Sequence, residues 1–197
     1  MQREVELKAV VEDLAGCRRR LEAAGGQLVF EGRLEDRRYD TINGRLSAGD
    51  EVLRIRTHRD TQGTRTSLDW KGSARREHGY KVRDEIVAHT SSAAELASIL
   101  ERLGFGVTGA IDREVAQYEY AGAQVRFERY PRMDTLVEVE GQPDAIERAI
   151  TALGMPREGF TSERLVAFVE RFEARTGIRA SISDRQLAGE EREETRG

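Results

Sequence analysis

At 197 residues the chain has the length of one domain, or two at most, and is long enough to bury a real core. Its 32 Lys and Arg against 36 Asp and Glu leave a net charge of −4, which argues against nucleic-acid binding by bulk charge. A single cysteine, Cys17, excludes an internal disulfide framework and a thiolate zinc site. No apolar run approaches the roughly 18 residues of a spanning helix, and Met1-Gln2-Arg3-Glu4 lacks the apolar core of a secretory signal. A soluble cytoplasmic protein with neither a membrane nor a nucleic-acid partner is expected, a homodimer being possible.

In chain order, a short alternating segment from Glu4 to Lys8 precedes an amphipathic helix from Asp13 to Ala24, which Gly25-Gly26 ends. Alternating runs follow at Glu51 to Thr57 and Thr66 to Lys71, with turn signals at Asn43-Gly44 and Gln62-Gly63. The first plan then repeats twice. Lys81 to Val87 leads into a helix from Ser92 to Leu103, stopped by Gly104. After a strand from Gln124 to Arg129, Leu136 to Glu140 leads into a helix from Asp144 to Leu153, stopped by Gly154. Asp13, Ser91 or Ser92, and Asp144 are the expected N-caps, because a short side-chain oxygen can accept from the first free amides. A fourth helix is predicted from about Ser162 to Arg175. Beyond Ile182 the chain turns polar and charge-mixed, and residues 179–197 are expected to be a disordered tail. The whole reads as α+β, with about eight mostly antiparallel strands and about four helices.

Alternation in the strands separates full charges from apolar residues. Glu4, Glu6 and Lys8 lie opposite Val5, Leu7 and Ala9; Arg54 and Arg56 opposite Leu53 and Ile55; Asp69 and Lys71 opposite Leu68 and Trp70. Lys81, Arg83 and Glu85 oppose Val82 and Ile86; Arg126 and Glu128 oppose Val125 and Phe127; Glu138 and Glu140 oppose Val137 and Val139. One such strand is ordinarily half of a sheet with a wet face. Six of them with nearly all polar positions fully charged suggest a sheet curled so that the charged face looks inward, its apolar outside covered by the helices. A charged lumen is costly unless it is hydrated or filled with counter-charge. A polyanion with a divalent metal would fill it, since carboxylates bind hard cations and Arg and Lys bind phosphate oxygens.

Glu4-Val5-Glu6-Leu7-Lys8 resembles the Glu-x-Glu-x-Lys signature that opens the CYTH-domain proteins, or triphosphate tunnel metalloenzymes. Further motifs follow in that family's order: Asp36 with Tyr39-Asp40-Thr41, Leu53-Arg54-Ile55-Arg56, Trp70-Lys71-Gly72, Arg83-Asp84-Glu85, Phe127-Glu128 with Pro131, and Val137-Glu138-Val139-Glu140-Gly141. The likeness runs from about residue 2 to 178, so the domain is expected to be 1–178. It implies an eight-stranded antiparallel tunnel, a closed barrel with charged lumen and flanking helices. It also implies Mg²⁺ or Mn²⁺ and a nucleoside or inorganic triphosphate. The family includes class IV adenylate cyclases, thiamine triphosphatases and inorganic triphosphatases. Three departures stand out: Val87 where many members carry a second Glu, Glu128 for the usual Asp, and Val115 in place of one phosphate-binding cation, with Arg113 standing in for a Lys.

On this resemblance Glu4, Glu6, Glu138 and Glu140 are the expected metal ligands, with Glu85 and Glu128 as further candidates. Lys8, Arg54, Arg56, Lys71, Lys81, Arg83 and Arg113 are assigned to triphosphate oxygens, and Lys8, Arg56 and Lys71 to catalysis. The expected reaction is that of a class IV adenylate cyclase, ATP to cyclic AMP and pyrophosphate. The alternatives are hydrolysis of an inorganic or organic triphosphate, and a non-catalytic polyphosphate-binding module. His58, His78 and His89 have no ligand spacing, Cys17 reads as a small packing residue, and Trp70 reads as core.

Overall fold

A computed structural model describes residues 2–190. The strands are β1 (Gln2–Val10), β2 (Gln27–Thr41), β3 (Val52–Asp60), β4 (Gly63–Lys71), β5 (Arg75–Glu77), β6 (Tyr80–Thr90), β7 (Phe105–Tyr120), β8 (Ala123–Arg129) and β9 (Leu136–Gly141). The helices are α1 (Leu14–Ala23), α2 (Arg45–Ala48), α3 (Ala93–Arg102), α4 (Pro143–Leu153), α5 (Leu165–Thr176) and α6 (Asp184–Leu187). The sheet runs β1-β9-β8-β7-β2-β3-β4-β6-β5, and β1 also pairs with β6. That extra pairing closes eight antiparallel strands into a barrel, leaving the short β5 outside the ring as a hairpin partner of β6. Closure removes the free sheet edges, and the charged faces look inward as the alternation implies.

Register confirms which residues share the inside. Glu6 lies opposite Glu140 and Lys8 opposite Glu138; Glu4 lies opposite Arg83; Asp36 opposes Arg56, and Arg54 opposes Asp69. The apolar outside is covered by helices. Cys17 and Leu21 of α1 and Ala145, Ile146, Ala149, Ile150 and Leu153 of α4 pack on Val5, Leu7, Val125, Val137 and Val139. Each fully buried aliphatic side chain there contributes roughly 1.5–3 kcal/mol. On the opposite flank α3 sets Leu100 against Tyr39 and Ile55.

Helix starts follow the expected caps at Asp13 and Ser92, whose side chains accept from the amides of Gly16 and Glu95. At α4 the cap is Gln142 rather than Asp144, because Pro143 occupies the first turn, where its missing N–H costs nothing. Gly154 closes α4 with φ 65°, a left-handed conformation that a side chain would strain. The fourth predicted helix starts at Leu165, not Ser162, because Thr161 is taken by an antiparallel bridge to Lys8.

The segment 179–190 differs from the expected disordered tail. Ile182 accepts from the Asp112 amide at 2.8 Å, Ser181 and Arg132 exchange backbone bonds at 2.8 and 3.0 Å, and Asp184 meets Arg33. This segment lies along the stretch of β7 that precedes its pairing with β8, where backbone groups would otherwise lack partners. The rest of the expected tail, 191–197, lies outside the described residues. A chain ending at residue 178 should therefore lose stability. Three backbone hydrogen bonds at about 1 kcal/mol each correspond to a drop of roughly 6 °C or more in melting temperature. An unchanged melting curve would show that the segment adds nothing.

Candidate active site in the barrel lumen

The lumen holds two charge clusters. The first surrounds Asp36, which is 1% exposed. Arg56 donates to it from Nε and Nη2 at 2.7 and 2.8 Å, Arg113 at 3.2 Å and Arg54 at 3.5 Å. Burial alone would raise its carboxyl, but the three guanidinium groups outweigh burial and hold it well below the usual carboxylate range. Arg54 also donates to Asp69 at 2.9 Å, and Arg113 to Glu128 at 2.8 Å. Glu128 accepts from Arg126 at 3.1 Å and from the Tyr130 hydroxyl at 2.6 Å. Burial opposes its ionisation, yet Arg113 and Arg126 keep it depressed.

The second cluster is built on β1. Glu6 pairs with Lys8 at 2.9 Å and with Lys81 at 2.5 Å, and Lys8 reaches Glu138 at 2.5 Å. Glu138 also pairs with Arg126. Lys71 bridges Glu4 and, at 3.3 Å, Glu85. Burial and Glu6 push the Glu4 carboxyl up, but Lys71 and Lys8 together hold it lowered. Glu140 is different: it has no ion pair among the described residues, and burial and the charge of Glu4 raise its carboxyl.

Ligand oxygens of Glu4, Glu85 and Glu140, from three adjacent strands, lie within 4.8 Å of one another. Three convergent carboxylates suit a hard divalent cation such as Mg²⁺ or Mn²⁺. Of the four expected metal ligands, the fold thus brings Glu4 and Glu140 together with Glu85, with Lys71 shared between Glu4 and Glu85, while Glu6 and Glu138 lie outside this group in ion pairs with lysine and arginine. All seven expected phosphate cations face the lumen clusters. Lys8, Arg54, Arg56, Lys71, Lys81 and Arg113 pair with the carboxylates just described. Arg83 donates from Nη2 to Asp50 at 2.8 Å, but its Nε is buried without a hydrogen-bond partner among the described residues. Such an orphaned charged donor is expensive unless a ligand supplies the acceptor.

Asp36, Asp69 and Arg126 hold this wall in place without having been assigned to the site; their alternation with Arg54, Lys71 and Glu128 was the available signal. At Val115 the lumen wall turns apolar, against Phe30 and Leu34. His58 continues this patch, its ring edge-on to Phe30 at 5.3 Å. His78 sits in the β5–β6 turn and His89 is exposed on β6. Cys17 is core, and half-buried Trp70 donates from Nε1 to Glu51.

One end of the barrel is crossed by α5, whose Phe168 packs on Ile111, Tyr130 and Leu136. At the start of that helix Arg164 reaches Asp50 at 2.9 Å, the carboxylate that also holds Arg83. Beside α5 a cleft of about 1480 Å³ opens, lined by Arg38, Val107, Gly109, Ile111, Val166, Val169 and Ile178 among others. It meets the inward face at Arg38 and Ile111, and the carboxylates of Glu4, Glu85 and Glu140 do not line it.

A closed antiparallel barrel with an inward lattice of Arg, Lys and carboxylates defines a tunnel-type domain. A family model of the CYTH domain matches residues 2–149, and the chain belongs to that family. No curated protein matches its sequence. Among solved structures, the PH1819 protein of Pyrococcus horikoshii is similar at 22% identity and TM-score 0.71, covering 85% of this chain and 98% of its own. An adenylate cyclase candidate from Vibrio parahaemolyticus is similar at 16% identity and TM-score 0.72, covering 86% and 98%. The adenylyl cyclase candidate HpAC1 of Hippeastrum, described as having a dominant triphosphatase activity, is similar at 15% identity and TM-score 0.61, covering 93% and 99%. At these identities the likeness is one of fold. Among the described residues no helix is long and apolar enough to cross a membrane.

Proposed function

We propose that the chain is a metal-dependent enzyme that binds a triphosphate along the barrel lumen and displaces a group at phosphorus. The observation that carries this reading is the presence in one lumen of the Glu4, Glu85 and Glu140 carboxylates and the unpartnered Nε of Arg83. A divalent cation held by the three carboxylates would supply charge neutralisation and Lewis acidity at the phosphate chain. Arg83 donates to a phosphoryl oxygen. Lys8 and Lys71, each on a flexible stem between two carboxylates, would exchange one of these for a phosphoryl oxygen. Arg54, Arg56 and Arg113, fixed by Asp36, Asp69 and Glu128, form a preorganised positive wall that needs no rearrangement as charge develops.

The adjoining cleft favours a nucleoside triphosphate, because its volume is far more than a phosphate chain requires. With ATP, the ribose 3′-hydroxyl would give up its proton to solvent and its oxygen would form a bond to the α-phosphorus while the bond to the bridging oxygen breaks and pyrophosphate leaves. Hydrolysis is the second reading, favoured by the fold likeness to HpAC1. Product analysis with ATP and with inorganic triphosphate, each under Mg²⁺ and Mn²⁺, tests both. Cyclisation predicts cyclic AMP and pyrophosphate from ATP, and no cyclic product from the 3′-deoxy analogue. Orthophosphate as the main product from either substrate would select hydrolysis. Turnover of neither substrate would overturn the enzymatic reading.

A further inference from the structure

We propose that Arg38 is a further anion-binding residue of the lumen, contributed by β2 where the barrel opens into the cleft beside α5. This rests on the triphosphate reading above and adds a residue that the motifs do not mark. Arg38 lies opposite Arg54 on β3 and opposite Gly109 on β7, so it shares the inward face with Arg54. Gly109 places no side chain beside it, and the space where a Cβ would stand there has no neighbour within 4 Å. Directly after Arg38 the register of β2 against β7 shifts, and Tyr39 turns to the outer core under α3. The irregularity marks the last inward position of β2 before the cleft.

The charges around Arg38 are unbalanced. Asp36, two residues earlier on the same face, is already shared by Arg54, Arg56 and Arg113. Arg38 itself has neither a hydrogen bond nor an ion pair among the described residues. It is exposed, and it lines the cleft. Burial by the surrounding protein and repulsion from Arg54 nonetheless lower its guanidinium from the ordinary value. An arginine that only covered surface would turn away from three like charges. One held among them, attracted by Asp36 but with its donors unused, is suited to a phosphoryl oxygen. The cation missing at Val115 is thereby offset on a different strand.

The test is calorimetric binding of inorganic tripolyphosphate to the full chain in metal-free, low-salt buffer, with Arg38→Gln and Arg38→Lys beside the wild type. Loss of one charge-assisted contact should weaken Arg38→Gln about tenfold or more. Arg38→Lys should fall between, because it keeps the charge but not the fork. The ligand-free melting temperature of Arg38→Gln should be equal to or above that of the wild type. Binding by Arg38→Gln within twofold of the wild type, with the wild type binding, overturns the proposal and leaves the triphosphate reading standing. A fall of more than about 5 °C in its ligand-free melting temperature, some 1–2 kcal/mol for a chain of this size, assigns Arg38 to the fold and also overturns it. Failure of the wild type to bind tripolyphosphate overturns both.

Discussion

Glu140→Gln should lose at least about a hundredfold in turnover while its metal-free melting temperature holds or rises. The stability half follows from the ion-pair pattern. Glu140 has no ion pair among the described residues, and burial and Glu4 outweigh the more distant Arg126 and Lys71 in disfavouring its charge, so an amide of the same shape relieves repulsion. The activity half follows from the cluster with Glu4 and Glu85: removing one hard anionic oxygen weakens charge stabilisation at the reacting phosphorus, an effect of about 10²–10³ in rate. Glu138→Gln provides the contrast. It breaks pairs to Lys8 and Arg126 and leaves both cations under-compensated, so it should lower the melting temperature as well. Turnover by Glu140→Gln close to that of the wild type at saturating Mg²⁺ would remove Glu140 from the metal site.

Asp36→Asn should be the most damaging single change to the fold. The carboxylate is 1% exposed and accepts from three arginines. Its neutralisation leaves buried guanidinium groups without a counter-charge, a loss of about 3–5 kcal/mol. At roughly 2–4 °C per kcal/mol for this size of chain, the melting temperature should fall by about 10 °C. The pH dependence has a definite sign. The folded carboxyl lies well below its unfolded value, so its contribution is complete above about pH 4 and is lost as pH falls through the folded value. Asp36→Asn should therefore flatten the acid limb of the stability curve. Tripolyphosphate should restore part of the loss by supplying the missing negative charge. A fall of less than about 2 °C, under 1 kcal/mol, would mean that the arginines are balanced by other groups.

The strands that were legible in the sequence are those with an uninterrupted two-residue period. β1, β3 and β9 show their faces directly, because Glu4-Glu6-Lys8, Arg54-Arg56 and Glu138-Glu140 hold one phase throughout. β2 and β7 are the longest strands and the hardest to read. β2 changes phase against its neighbour between Leu28 and Phe30 and again between Arg38 and Tyr39, and each shift moves subsequent side chains to the other face. Arg38 stands in phase with Asp36, but Arg37 beside it is charged as well, so alternation does not say which of the two arginines faces inward. The expected metal ligands illustrate a second limit. Alternation places Glu4, Glu6, Glu138 and Glu140 on one wall but says nothing of which cation each one faces. The β1–β6 register, which brings Glu85 beside Glu4 and sets Lys81 against Glu6, is set by barrel closure. The segment 179–190 escaped for a related reason: its bonds to β7 and Arg132 are made by backbone, and a polar sequence does not display them.

The position of β1 between β6 and β9 has a consequence for assembly. The strand carrying Glu4, Glu6 and Lys8 precedes every other element in the chain, yet its partners are residues 81–85 on one side and 136–140 on the other. Both pairings span long loops, whose closure entropy is lost before the contacts compensate. During synthesis the remaining strands can form hairpins with their sequence neighbours, while β1 waits for β6, about 80 residues downstream, and for β9, about 130 downstream. The seam of the barrel is therefore expected to close late, on the millisecond-to-second scale of folds dominated by distant pairings. Until it closes, Glu4, Glu85 and Glu140 belong to three unconnected strands. The capacity to gather a cation would then appear in a single step together with the completed ring, which makes metal uptake a reporter of the last folding event.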